Sequence, residues 1–148
     1  MADFDFVTVR LATGAAISSE DDVQQLKNAG ITHVVDCREE FNDAPLLGPN
    51  FAYLWDGTTD DGQTKPPTWF KPGIDFALMA LAQPINKVYI HCAAGVNRGP
   101  SMTYAVLRAF GLTAQLSESL IRTARPQVGL AYKTDVDNAV VALGYVNQ

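Results

Sequence analysis

The chain has few basic residues, almost no cysteine and no long apolar run, and each scarcity removes a class of function. Eleven Lys and Arg stand against 16 Asp and Glu, a net charge of -5. A chain so charged lacks the broad basic face that phosphate-backbone contacts need, so nucleic acid is not expected as a partner. The longest wholly apolar run, FALMALA at residues 76–82, is far too short to cross a bilayer. The first residues, MADFDF, carry acids where a secretory leader has a basic end and an apolar run. A soluble, cytoplasmic chain with no membrane partner is therefore expected. Two cysteines, Cys37 and Cys92, are too few for a disulfide scaffold and fit a reducing compartment in which one thiol does chemistry. No repeat, charge block or low-complexity tract divides the 148 residues, 47% of them hydrophobic. One domain over residues 1–148 is expected; the sequence says nothing of oligomeric state.

What is present is an alternation of strands and helices. ITHVVDC (31–37), FAYLW (51–55) and KVYIHC (87–92) are short and rich in β-branched or aromatic residues, and they read as strands. SSEDDVQQLKNAG (18–30) offers a serine cap, acids in its first turn and a terminating glycine, which predicts a short surface helix. Further helices are predicted at least from Pro72 onward in TWFKPGIDFALMALA, over residues 100–110 with Gly111 as the stop, and over 116–124 and 134–143. This alternation predicts an α/β fold with a mainly parallel central sheet flanked by helices. Its ligand site should lie at the carboxyl ends of the strands.

One loop carries the chemistry. KVYIHCAAGVNRGPSMTYAVLRAFG (87–111) runs from a strand through Cys92 into Ala93, Ala94, Gly95, Val96 and Asn97, then Arg98 and Gly99, and at once into a helix. So few bulky side chains leave the backbone N–H groups able to curl round one small anion. The helix adds the positive end of its dipole, which favours both a phosphate and the thiolate of Cys92. Arg98 returns to the same loop with a planar fork suited to two phosphoryl oxygens. His directly before the Cys, Gly three after it and Arg six after it coincide by chance about once in ten thousand chains of this composition. His91 reads as the group that orients the loop rather than as a base. A zinc site from His33, Cys37, His91 and Cys92 has suitable ligand types. Adjacent strand residues point to opposite faces, however, so His91 and Cys92 do not readily share one ion, and neither metal nor cofactor is expected.

With its His-Cys pair, five intervening residues and Arg, the chain resembles the cysteine-based protein tyrosine and dual-specificity phosphatases. LKNAGITHVVDC, FAYLWDGTTDD, WFKPGIDFALMALAQPINKVYIHCAAGVNRGPS and LIRTARP follow in the order and at roughly the spacing of the small dual-specificity members. The resemblance implies a cysteine-phosphatase domain acting on a phosphorylated substrate. Cys92 would be the nucleophile, Arg98 the phosphoryl clamp, and Asp60, on the loop DGTTDDGQTKPPT (56–68), the acid that protonates the leaving oxygen. Asp56 and Asp61 stand beside it as alternatives. By the same resemblance Arg122 and Arg125 lie near the site, to contact substrate or only to tie the loop down.

Two departures bear on activity and substrate. The family usually has Ser or Thr after the Arg, to stabilise the departing thiolate, where this chain has Gly99. Some glucan phosphatases are similar in lacking that hydroxyl, and Ser101 is a candidate substitute. VVDCREE (34–40) resembles an Asp-x-Arg-x-Glu stretch of the bacterial phytase-like branch, which implies Arg38 as a contact to inositol phosphates; its plain alternative is an ion pair with Glu39 or Glu40. A polyphosphate pocket needs several cations, for which Arg38, Lys65, Lys71, Arg122, Arg125 and Lys133 are the candidates. GVNRG is also similar to RNA triphosphatases, which the negative charge disfavours. A phosphate-binding module without turnover is the non-enzymatic alternative.

Overall fold

A computed structural model of the protein describes residues 1–147. Five strands form one sheet: β1 (Phe4–Phe6), β2 (Leu11–Gly14), β3 (His33–Arg38), β4 (Ala52–Thr58) and β5 (Val88–His91), in the order β1-β2-β5-β3-β4. Only the β1–β2 pair is antiparallel; β2–β5, β5–β3 and β3–β4 are parallel. The mainly parallel sheet is thus as expected, but β1 and β2 carry no strong sequence signal. FDF and LATG are three and four residues long, and Ala, Gly and Asp are poor strand formers taken alone. Pairing decides them. A Cβ on Gly14 would lie 2.2 Å from Asp3 O, so only glycine lets β1 close over β2.

Among the described residues, α1 (Glu20–Asn28), α2 (Ala44–Leu47) and α3 (Pro67–Leu81) connect strands, and α4 (Arg98–Phe110), α5 (Ala114–Ala124) and α6 (Lys133–Ala142) follow β5. The cap of α1 is Ser19, whose Oγ accepts the Asp22 N–H. Gly111, at φ 117°, ends α4. Helix α3 starts at Pro67 and so includes the stretch from Pro72 onward; Pro67 itself takes the first-turn position that needs no N–H donor. Helix α4 opens at Arg98 rather than Pro100, so the arginine belongs to its first turn.

Alternation along β5 divides the core. Val88, Ile90 and Cys92 join Val35, Cys37, Phe70, Ile74 and Met102 in the larger cluster, under α3, α4 and α6. Tyr89 faces the other side, where Ala12, Leu26, Val34, Leu47 and Phe51 pack beneath α1. Among the described residues, no helix is long and apolar enough to cross a membrane. The carboxyl ends of β3, β4 and β5 therefore converge with the residues that follow them, and these build the site.

Candidate active site

The loop after β5 is held open from behind. The Ala93 carbonyl accepts the Ala16 N–H (3.0 Å), and that of Val96 accepts the N–H groups of Gly129 (2.9 Å) and Leu130 (3.2 Å). Those of Ala94 and Gly95 accept Arg125 Nη2 (3.0 Å) and Nε (2.8 Å). With these carbonyls bonded to the surrounding protein, the N–H groups of residues 93–97 take no protein partner among the described residues. That is an oxyanion cradle at the start of α4. Glycine is required at 95, where φ is +71° and a Cβ would meet Arg125 Nη2 and Gly14 C at 2.5 Å. Leu130, at φ 51° and 4% exposed, accepts an uncommon backbone conformation that its bond to Val96 O maintains. Residues 126–132 thus act as a floor for the loop, a role that only the chain's return path reveals.

Cys92, directly before this loop, is 3% exposed, and Arg98 opens the helix that ends it. The Arg98 guanidinium is held on one edge only. Nη1 donates to Glu40 Oε1 (2.8 Å) and to Thr58 O (2.9 Å), and Nη2 donates to Glu40 Oε2 (3.1 Å). Its Nε is buried without a partner. The end-on face is therefore taken by a carboxylate, and the Nε/Nη2 side edge remains for two oxygens of a bound oxyanion. This contact holds the Glu40 carboxyl at a pKa of about 2, chiefly through the Arg98 hydrogen bonds. Glu40 is a site residue that the sequence offered only as an ion-pair partner for Arg38.

Arg38 and Arg125 are both buried and bonded to protein carboxylates. Arg38 is 7% exposed, with Nε on Asp36 Oδ1 (3.2 Å) and Nη2 on Asp43 Oδ1 (2.7 Å). Its ion pairs are with Asp36 and Asp43, not with Glu39 or Glu40. All five N–H groups of Arg125 are used, on Asp3, Asp5, Ala94 O and Gly95 O. None is left for a ligand, and the residue ties the loop down. In both cases a buried guanidinium is compensated by protein carboxylates.

His91 is fully buried, with Nδ1 3.1 Å from Cys92 O and Nε2 2.5 Å from Asp43 Oδ2. Asp36, Asp43 and His91 present the only cluster of metal-ligand type among the described residues. The Arg38 guanidinium already bonds both carboxylates, so the cationic position is filled by protein. Burial raises the Asp36 pKa.

Three acids compete on the strand and loop that follow β3. Asp56 lies within β4, and burial pushes its carboxyl up to a pKa of about 7. Asp61 is paired with Lys65 Nζ (2.9 Å), which lowers its pKa. Asp60 is exposed; its Oδ1 accepts the Tyr132 hydroxyl (2.8 Å) and its other oxygen is unpaired. Of the three, Asp60 acts with Cys92 on the charge of Arg98. Gly99 packs against the end of β5, where a Cβ would lie 2.9 Å from His91 C, and Ser101 Oγ accepts the Tyr132 N–H (3.3 Å). A hydroxyl-bearing side chain does not fit at 99.

A strand, an anion-binding loop that begins with Cys and ends with Arg, and a helix, set beside a loop carboxylate, define the class of cysteine-dependent phosphatases. Residues 14–133 match the family model of the dual specificity phosphatase catalytic domain, and the chain belongs to that family. Dual specificity protein phosphatase 26 of Homo sapiens is 30% identical over 90 residues, 59% of this chain and 43% of that protein. The chain thus spans less than half the length of the curated relatives it matches. Among solved structures, a mouse putative dual specificity phosphatase complexed with zinc tungstate superposes with a TM-score of 0.80 at 18% identity, covering 100% of this chain and 94% of that one. PTPMT1 in complex with PI(5)P gives 0.76 at 17% identity, covering 95% and 98%.

Proposed function

We propose that the chain hydrolyses phosphomonoesters through a cysteinyl-phosphate, with phosphorylated protein as the substrate class. The observation that carries this reading is the cradle: unpartnered N–H groups directly after Cys92, beside the unpartnered side edge of Arg98. Cys92 Sγ attacks phosphorus in line as the bond to the leaving oxygen breaks, and that oxygen takes its proton from Asp60. In the second step Asp60, now carboxylate, removes a proton from the water that displaces Cys92. The cradle N–H groups and Arg98 stabilise the charge of both transition states, usually the largest catalytic contribution. Glu40 and Thr58 O hold the guanidinium so that its Nε/Nη2 edge faces the phosphoryl group.

Against inositol polyphosphate stands the state of the candidate cations. Arg38, Lys65, Lys71, Arg122, Arg125 and Lys133 each have a carboxylate partner within 4.0 Å, so none is free to meet a second or third phosphate. The same pairing argues against an RNA 5′-triphosphate. Turnover of 4-nitrophenyl phosphate, lost by at least about a thousandfold in Cys92→Ser while tungstate still binds, tests the assignment. Substantial turnover by that variant would overturn the covalent mechanism, and no turnover by the native chain would leave a phosphate-binding module.

A further inference from the structure

Asp60 sits on an exposed stretch with no regular structure, yet the buried Tyr132 bonds it directly and the buried Lys65 bonds the residues on either side of it. Tyr132, 1% exposed and just before α6, accepts the Gly62 N–H at 3.0 Å and donates its hydroxyl to Asp60 Oδ1 at 2.8 Å. Lys65, 6% exposed, donates to Thr59 O (2.6 Å) and Asp61 Oδ1 (2.9 Å) and lies 5.0 Å above the Tyr132 ring. The Lys65 N–H donates to Asp135 Oδ2 at 3.0 Å. The Tyr132 N–H in turn donates to Ser101 Oγ on α4, the helix that opens with Arg98. A continuous run of contacts therefore ties the acid loop to the element that carries the clamp.

The direction of the hydrogen bond matters. A phenol has one proton, and because its oxygen already accepts from Gly62, that proton is committed to Asp60 Oδ1. A carboxyl oxygen that accepts such a bond is the carbonyl oxygen of the acid form, which confines the transferable proton to Oδ2. Burial first, then the Asp60 hydrogen bond, raise the phenol pKa against the opposing pull of Gly62, so the donor keeps its proton across the working pH range.

We propose that Tyr132 is a positioning residue for proton transfer, which holds the acid loop in place and assigns delivery to Asp60 Oδ2. The inference rests on Asp60 being the proton donor. In the step it governs, the Asp60 Oδ2–H bond breaks as the leaving oxygen takes the proton, the P–O electron pair goes to that oxygen, and the new S–P bond forms at Cys92.

The test compares Tyr132→Phe, Asp60→Asn and the double variant on phenyl phosphate, a poor leaving group, and 4-nitrophenyl phosphate, a good one. Tyr132→Phe should lower kcat on phenyl phosphate about five- to twentyfold, with a smaller loss on 4-nitrophenyl phosphate and KM unchanged on both, as expected for loss of one hydrogen bond to a catalytic group. The double variant should be no slower than Asp60→Asn, because Tyr132 acts only through Asp60. Losses that multiply, equal losses on the two substrates, or native kcat in Tyr132→Phe would each overturn the proposal. Asp60→Asn reports separately: if it loses equally on both substrates, the acid is elsewhere, whatever Tyr132 does. Lys65→Met loosens the loop but keeps the phenol, so it should show less leaving-group dependence than Tyr132→Phe. If it reproduces that dependence in full, loop order and not the hydroxyl is responsible, and the proposal falls.

Discussion

At the scale of single residues, the site depends on where each charged group spends its hydrogen bonds. Arg98 is shared between a protein carboxylate and an open edge, a division that a lysine cannot reproduce with one point charge. Arg98→Lys is expected to lower kcat/KM for 4-nitrophenyl phosphate by at least about a hundredfold, measured with circular dichroism as a check on folding. Asp56 behaves in the opposite sense to a paired acid. Its folded pKa of about 7, raised by burial from 3.8, means that the folded chain holds a proton between about pH 4 and pH 7 that the unfolded chain releases. Stability should therefore fall as pH rises through that window. Asp56→Asn removes this slope and should raise stability at pH 8 by about 1–2 kcal/mol, a figure reduced for the partial solvent access of the group. Urea unfolding at pH 5 and pH 8 measures it; an unchanged slope in the variant would assign the effect to another group.

At the scale of elements, the junction of β5 and α4 leaves no room for alternatives. Gly95→Ala meets both a positive φ and a 2.5 Å contact with Arg125. It should cost about 1–3 kcal/mol in thermal stability and remove most turnover. Gly99→Ser, which restores the residue usual in the family, is expected not to speed turnover, because the end of β5 lies 2.9 Å from its Cβ; faster steady-state hydrolysis would refute this. The pairing of β3 with β5 joins Asp36 to His91, so the next residues along, Cys37 and Cys92, are neighbours. Parallel strands lie about 4.8 Å apart, inside the range of Cα separations that a disulfide spans. Both thiols belong to the same buried cluster, and burial, then the charge of Cys92, push the Cys37 thiol up. Peroxide would oxidise Cys92 to the sulfenic acid, and Cys37 would displace water from it to form the disulfide. Without Cys37 the sulfenic acid is oxidised by further peroxide to the sulfinic acid, so inactivation should be reversed by dithiothreitol in the native chain and not in Cys37→Ser. Equal recovery in both would show Cys37 to be packing alone.

At the scale of the whole molecule, charge is scarce and many of the cations are paired with acids. The cations proposed for a polyphosphate pocket are each neutralised by a neighbour, and two of them, Arg38 and Arg125, are buried. A singly phosphorylated group therefore finds its full set of donors in the cradle, while further phosphates meet an acidic chain of net charge -5. A phosphotyrosyl peptide should exceed phytate in kcat/KM by at least about tenfold at physiological salt. Phytate as the better substrate would mean that some of those ion pairs open on binding.

The loop from Cys92 to Arg98 was legible in the sequence because its chemistry is local: small residues, a glycine with positive φ and a helix start occupy consecutive positions. The parallel sheet was legible for a similar reason, since β3, β4 and β5 each announce themselves by composition. Strands β1 and β2 did not, because what makes FDF and LATG strands is a partner far along the chain. The fates of the arginines were also beyond the sequence. Arg38, Arg98 and Arg125 are the same side chain with the same intrinsic donors, and only packing decides which of them faces a neighbouring carboxylate, which supports a loop from below and which keeps an edge open to a ligand. Glu40 and Tyr132 belong to the site for that reason too: each is brought there by a fold that places residues 40, 60, 98 and 132 together, and hydrogen bonds depend on distance in space, not on separation along the chain.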